Sequence, residues 1–325
     1  MSSIKKTAVI GAGAMGHGIA QAFAQSGFQV ALQDVAADVL EKAKGHVETN
    51  LTLLAEYGMV KSEEIGEILE RITPVSKLED AVADADLVIE AVPEDVELKQ
   101  KVLRAVEASC PEDTLLATTT SVIQVGDIAE GIQKPERFIG THWMNPPFVL
   151  PLVEIVRGPK TSESVISSVQ TFLEDECGKR TVVCGDTPGF LVNRMAAAVL
   201  VEAAKMVEDG IASFEDIDRA WKEHMGYVFL QFGPFGNIDH IGLDVIGLAA
   251  NYLAFVLEDE SFRPPPWLQE KVDSGDLGTK TGKGIYDYGG RSPEELRVER
   301  IRKLLEILQV RGSRFNPPVW RPRPD

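Results

Sequence analysis

Over the first 185 positions, short apolar runs alternate with longer stretches whose apolar residues recur at helical spacing. Thr7–Ile10 is an apolar run that meets the cluster Gly11-Ala-Gly13-Ala-Met15-Gly16. A helical pattern follows to about Gln25, and a second apolar run, Gln29–Leu32, ends at Asp34. That order reads strand, turn, helix, strand, the smallest unit of a parallel sheet. Asp38–Arg71 is polar and helix-forming with a break near Tyr57-Gly58, and predicts a helical hairpin projecting from the sheet. Further strand-like runs at Asp86–Val92, Thr114–Ala117, Phe138–Gly140, Val153–Val156 and Arg180–Cys184 are separated by helical stretches. The alternation predicts an α/β domain with a doubly wound sheet.

After Asp186-Thr-Pro-Gly189 the period changes. Arg194–Asp209, Ser213–Glu223 and Asp244–Leu257 are apolar at helical spacing, with no clear strand before Gly284–Tyr288. The expected division is an α/β domain over 1–186 and an all-α domain over 187–325. Arg263-Pro-Pro-Pro266 reads as a rigid loop, Glu294–Leu308 as a charged amphipathic helix, and the proline-rich tail Asn316–Asp325 as extended or disordered.

Composition narrows the setting. The chain has 325 residues and a formal charge of −17, a length that suits two domains. So acidic a chain disfavours nucleic acid and anionic membrane as partners. No apolar run approaches the roughly 18 residues of a membrane span, and the N-terminus enters a strand pattern directly, leaving no room for a signal peptide. Cys110, Cys177 and Cys184 lack metal-ligand spacing, and their odd number cannot be fully paired. They read as reduced thiols of a cytoplasmic protein that holds no metal.

Gly11, Gly13 and Gly16 form G-x-G-x-x-G after a strand and at the opening of a helix, the context that a dinucleotide site requires. The first glycine makes the tight turn and the second admits a pyrophosphate. The third lets the helix pack closely, with its first amides toward the phosphates. Asp34 stands at the end of the second strand, where a carboxylate accepts from a ribose 2′-OH and repels a 2′-phosphate. Gly11, Gly13, Met15, Gly16 and Asp34 are therefore candidate cofactor-binding residues, with NAD favoured over NADP and FAD as the rival dinucleotide.

Two other segments are chemically unusual: Thr118-Thr-Thr-Ser121, and Gly140-Thr-His142-Trp-Met-Asn145-Pro-Pro with Leu152-Val-Glu154 beyond it. His142 closes an apolar run at the expected carboxyl end of a strand, where open α/β sheets bind ligands. Glu154 lies inside another apolar run, where an unpaired carboxylate is costly to bury. A neighbouring imidazole resolves that cost, and a His–Glu pair suits proton removal from an alcohol. Taken singly, a strand-end histidine is more often structural.

At this point the chain resembles the L-3-hydroxyacyl-CoA dehydrogenase superfamily, from about Lys5 to Tyr288. The ordered motifs begin with Gly11-Ala-Gly-Ala-Met-Gly-His-Gly, Val88-Ile-Glu-Ala-Val-Pro-Glu94 and Pro135-Glu-Arg-Phe-Ile-Gly-Thr-His142 with Asn145-Pro. They continue with Val153-Glu154, Asp186-Thr-Pro-Gly-Phe-Leu-Val-Asn193-Arg194, Gly233-Pro-Phe, Ile241-Gly-Leu-Asp244 and Lys280-Thr-Gly-Lys-Gly284. The resemblance implies a Rossmann-type domain followed by a helical domain that forms a homodimer. It makes His142 the general base, oriented by Glu154, with Ser121 and Asn193 holding the reacting oxygen and the histidine. Glu94 and Lys99 match residues near the nicotinamide end of NAD. Read from the residues alone, Ser121 and Asn193 also fit helix caps. Glu94 and Lys99 also fit a solvated helix face, and Gly189, Phe190 and Arg194 fit packing and hinge positions.

Departures from the acyl-CoA pattern bear on the substrate. Asn145 is followed by Pro146-Pro147, and the link Gly226-Tyr-Val-Phe-Leu-Gln-Phe-Gly233 is long. Both features, and the helix beyond Tyr288, resemble the L-gulonate dehydrogenase (lambda-crystallin) and pyridine-carboxylate dehydrogenase branches. Residues 38–71 carry eight acidic and four basic side chains, a poor surface for the phosphates of CoA. The expected reaction interconverts an (S)-3-hydroxy compound and its 3-keto form, tilted toward a free hydroxy acid over a 3-hydroxyacyl-CoA. The rival classes are a non-catalytic NAD-binding structural protein and a decarboxylating 2-hydroxy acid enzyme, whose usual catalytic lysine has no clear candidate.

Overall fold

The computed structural model describes residues 4–311, which divide into two compact units between Val201 and Glu202. In the first, β1 (Lys6–Ile10), α1 (Ala14–Gln25) and β2 (Gln29–Gln33) form the opening unit expected from the glycine-rich turn. There follow α2 (Ala37–Glu56), α3 (Ile65–Glu70), β3 (Ile72–Val75), α4 (Leu78–Val82), β4 (Leu87–Glu90), α5 (Val96–Ser109) and β5 (Leu115–Thr118). Then come α6 (Val125–Ala129), β6 (Phe138–Trp143), β7 (Leu152–Arg157), α7 (Glu163–Thr171), β8 (Arg180–Gly185) and α8 (Val192–Glu208), within which the division between the units falls.

The strand order is β3-β2-β1-β4-β5-β6-β7-β8. Pairing is parallel except between β6 and β7. The loop between β6 and β7 is too short for the crossover that parallel neighbours need, so the chain reverses there. Alternate residues feed opposite faces: Val9 and Ile89 pack with Ile19 and Phe23 of α1, while Ala8, Ile10 and Val88 pack with Leu103 of α5 and Ile128 of α6. Coverage on both faces explains why Leu87–Glu90 is buried at every position.

Several local expectations needed adjustment. β3 was not foreseen: it is a half-exposed edge strand containing Pro74, which an edge tolerates and a central strand does not. The helical hairpin has unequal arms, α2 and the much shorter α3, and is anchored by a stripe of Leu40, Ala43, Val47 and Leu51 in the core cluster that contains α1.

In the second unit, α9 (Phe214–Ala220) is followed by α10 (Gly226–Ile241), α11 (Leu243–Val256), α12 (Pro266–Asp273) and α13 (Pro293–Arg311). The link is helical over 226–232, and α10 breaks at Gly233 (φ 61°, ψ 178°) ahead of Pro234. The run 284–288 is held by side-chain contacts in place of a ladder. Buried Asp239 accepts bonds from Ile285 N, Tyr286 N and Tyr288 Oη, and only single bridges join Lys283 to Gly278 and Asp287. Pro266, last of the three prolines, opens α12. The tail Asn316–Asp325 lies outside the described residues. No helix among the described residues is long and apolar enough to cross a membrane.

Candidate active site

A cavity of about 1120 Å³ lies along the carboxyl ends of the central strands of the first unit. The Gly11–Met15 turn and Asp34 line one part of it; Ser121, His142, Asn145 and Asn193 line another.

At the glycine-rich turn, Gly11 has φ +99° and donates its N–H to Gln33 O at 2.7 Å. A Cβ on Gly16 would fall 1.7 Å from Gly11 O, whereas one on Gly13 would meet nothing within 4 Å. So Gly16 is required by chain-to-chain packing and Gly13 leaves open volume at the start of α1. Asp34 accepts from Ala12 N at 2.9 Å and Ala36 N at 3.0 Å, which fixes its carboxylate on the cavity wall. Met15 lines the same wall. An open approach over Gly13, the first turn of α1 and a fixed carboxylate suit the diphosphate and the adenosine ribose of NAD.

His142 and Glu154 are register partners across the antiparallel β6–β7 pair. His142 Nδ1 lies 2.6 Å from Glu154 Oε2, and both side chains are buried. The other carboxylate oxygen, Oε1, accepts from Leu191 N at 2.9 Å and Val192 N at 3.0 Å, at the start of α8. The buried carboxylate is thereby satisfied at both ends, and the positive end of α8 favours its charge. With Nδ1 engaged, Nε2 is the ring nitrogen left to exchange a proton with a cavity ligand.

Asn193 Nδ2 donates to Ser121 O at 2.8 Å. Neither residue is a helix cap: the residue preceding α6 is Gln124, and Asn193 lies inside the first turn of α8. Glu94 accepts from Thr120 Oγ1 at 2.6 Å, Ser121 N at 2.8 Å and Val122 N at 3.2 Å. Burial pushes its carboxyl up, but the Thr120 hydroxyl, the two amides and the Lys99 ammonium outweigh burial and hold it below the usual value.

Lys99 requires a correction. It neither lies on a solvated helix face nor lines the cavity; it is fully buried beneath it. Its Nζ donates to both oxygens of Glu90 at 3.0 and 3.2 Å, and to Val92 O and Thr119 O at 3.2 Å each. Burial pushes the Glu90 carboxyl up, opposed chiefly by Lys99 and by the Thr118 hydroxyl. Glu90 was missed in the sequence, although it carries the signal that singled out Glu154: a carboxylate within an apolar run.

Comparison with known proteins places these features in a family. The family model described as 3-hydroxyacyl-CoA dehydrogenase, NAD binding domain, matches residues 6–187, and that for the C-terminal domain matches 189–288. A 3-hydroxyacyl-CoA dehydrogenase of Archaeoglobus fulgidus is similar in structure, with a TM-score of 0.80 and 46% identity, covering 94% of this chain and 99% of that one. The 5-formyl-3-hydroxy-2-methylpyridine 4-carboxylate 5-dehydrogenase of Mesorhizobium japonicum is 33% identical over 312 residues, 96% of this chain and 99% of that protein. The 3-hydroxybutyryl-CoA dehydrogenase of Bradyrhizobium diazoefficiens is 38% identical over 290 residues, 89% of this chain and 97% of that protein.

Proposed function

The chain belongs to the 3-hydroxyacyl-CoA dehydrogenase family, an NAD-dependent oxidoreductase family, and from that premise we propose that it interconverts an (S)-3-hydroxy compound and its 3-keto form, with a free hydroxy acid as the substrate class. The observation that carries the reading is the buried His142–Glu154 pair, with His142 on the wall of the cavity that begins at the dinucleotide turn. Bound NAD would supply the acceptor for the hydride that leaves the alcohol carbon. His142 Nε2 takes the hydroxyl proton, and Glu154 stabilises the resulting imidazolium. Ser121 and Asn193 hold the reacting oxygen as its charge develops. In the opposite direction His142 returns the proton. Gly11, Gly13, Met15 and Asp34 would hold the cofactor, and Gly16 would serve it by closing the turn that presents them. Glu94 would lie toward its nicotinamide end, and Lys99 would hold Glu90 and the strand ends beneath the cavity.

Two observations support a free acid. The hairpin segment 38–71 is acidic, and the match to the pyridine-carboxylate enzyme extends over 96% of the chain. The names of the A. fulgidus and B. diazoefficiens relatives favour a second reading, a 3-hydroxyacyl-CoA substrate. NADH formation with (S)-3-hydroxybutyryl-CoA, compared with free 3-hydroxybutyrate, L-gulonate and carnitine, separates the two. Turnover of a free acid with a silent thioester is the expected result; turnover of the thioester alone would overturn the free-acid reading. Binding of NAD without turnover of any alcohol would favour a non-catalytic protein.

The proposed domains are 1–186 and 187–325, a boundary supported by family-model matches that end at 187 and begin at 189, whereas the compact units part later, within α8. Exposed Leu230, Leu248, Tyr252 and Phe255 in the helical unit support a homodimer through that domain. Sedimentation of the purified chain at twice the monomer mass is expected. Three unpaired thiols and a charge of −17 support a cytoplasmic setting without nucleic acid as a partner.

A further inference from the structure

Resting on the dehydrogenase reading, we propose that Asp186 is a positioning residue for the reaction, holding the Ser121 loop against the segment that carries Asn193. Strand register already fixes His142 against Glu154. Ser121 and Asn193 lie outside that register, on a loop after β5 and on the first turn of α8; Glu94 holds the Ser121 amide but makes no bond to the segment that carries Asn193. Asp186 supplies the tie. Its Oδ1 accepts from Val125 N at 2.8 Å and its Oδ2 from Gly126 N at 2.7 Å, the first amides of α6, a few residues past Ser121. Its backbone oxygen accepts from Gln124 Nε2 at 3.2 Å. Asp186 thus does from a distance the capping that Gln124, which makes no side-chain cap bond, leaves undone. A Cβ at Gly126 would lie 3.1 Å from Asp186 Oδ2 and 3.1 Å from Pro159 Cγ, so the close approach depends on glycine. Asp186 itself does not line the cavity.

The residues just after Asp186 give the tie its purpose. Gly189 (φ +73°) and Phe190 (φ +49°) turn the backbone through the left-handed region, which costs a bulky residue about 1 kcal/mol or more. That turn delivers Leu191 N and Val192 N to Glu154, and Asn193 Nδ2 to Ser121 O. The buried Phe190 ring lies with its centroid 5.7 Å from that of His142. Segment 186–193 therefore touches Ser121, His142 and Glu154 and contributes Asn193. Its downstream end is held by Glu154, and its upstream end is held by Asp186 on the Ser121 side.

The test compares wild type, Asp186→Ala, Asp186→Asn, Asn193→Ala, Asp186→Ala/Asn193→Ala and, as a control, His142→Ala. The probes are (S)-3-hydroxybutyryl-CoA and L-gulonate, with kcat counted per NADH-binding site. Asp186→Ala is expected to lower kcat about 10–100-fold with little change in KM for NAD, a loss of orientation. Asp186→Asn keeps one acceptor and is expected to lose less; it carries the comparison if the alanine variant does not fold. The double variant is expected to lose no more than the worse single variant, because both act on one juxtaposition. Multiplying losses, or a near-normal kcat per site in Asp186→Ala and Asp186→Asn, would overturn the proposal. A crystal structure of Asp186→Asn gives a readout independent of substrate. There the Asn193 Nδ2 to Ser121 O distance is expected to exceed about 3.5 Å, and retention of the 2.8 Å contact would overturn the proposal. Full turnover by His142→Ala, or none by wild type, would instead count against the dehydrogenase reading, with the crystal structure still deciding the role of Asp186.

Discussion

Glu154 faces His142 directly across the β6–β7 pair and divides its two oxygens between the imidazole and the first amides of α8. The carboxylate is buried, yet both oxygens are satisfied, so the desolvation that would otherwise expel it is offset by hydrogen bonds to a ring and to a helix terminus. Two strands and one helix must all be in place for that pair to exist.

The glycines of the first turn separate folding from binding. Gly16→Ala would put a Cβ 1.7 Å from Gly11 O and is expected to prevent the β1–α1 turn from closing, with a large fall in melting temperature. Gly13→Ala meets nothing within 4 Å in the protein, so it is expected to melt like wild type while NAD affinity falls about tenfold or more. Melting curves and NADH fluorescence titrations check both, and normal NAD binding by Gly13→Ala would contradict the placement of the diphosphate.

Asp34→Ser removes a carboxylate held on the cavity wall by Ala12 N and Ala36 N. Loss of a charged hydrogen bond of about 1.5–3 kcal/mol translates into about 10–100-fold weaker NAD binding, with NADP discrimination reduced. Titration with both cofactors is the measurement, and unchanged NAD preference would show that Asp34 acts only on the protein backbone.

Lys99→Met leaves Glu90 buried without its ammonium and is expected to destabilise the fold by about 3–5 kcal/mol in urea unfolding. Adding Glu90→Gln is expected to recover much of that loss, because the buried charge is gone. NAD affinity of the double variant should stay near wild type, since neither side chain lines the cavity. Stability retained with affinity lost would return Lys99 to direct cofactor contact.

Glu94 gives a pH dependence with a defined sign. Its folded carboxyl titrates below the ordinary 4.5. Its contribution is therefore fully present above that ordinary value and is lost as pH falls through the folded one. The difference in unfolding free energy between wild type and Glu94→Gln is expected to be largest near neutrality and to shrink as pH falls below about 4.5. A difference that stays constant down to pH about 3 would contradict the carboxylate's hold on Ser121 N and Val122 N.

Periodicity exposed the opening strand–helix–strand, the helical second half and the glycine geometry, because each depends on neighbours in sequence. His142 and Glu154 could each be singled out and their pairing was implied by the family resemblance, but spacing alone could not prove it: the contact arises from the antiparallel turn of β7 against an otherwise parallel run of pairings. Lys99 reads as surface from its charge, and only its pairing with Glu90 at the end of a buried strand explains why it is inside. Asp186 was visible only as part of a motif, since the amides it caps lie 60 and 61 positions away. β3 escaped because a short edge strand with a proline lacks the continuous apolar run of the central ones.

The most direct test of the mechanism is NADH formation by His142→Ala beside wild type, at saturating NAD and with the same alcohol. The expected result is NAD binding at wild-type affinity with turnover reduced by about 100-fold or more, as loss of a general base requires. Turnover within a few-fold of wild type would contradict His142 as the proton acceptor, and with it the reaction proposed for this cavity.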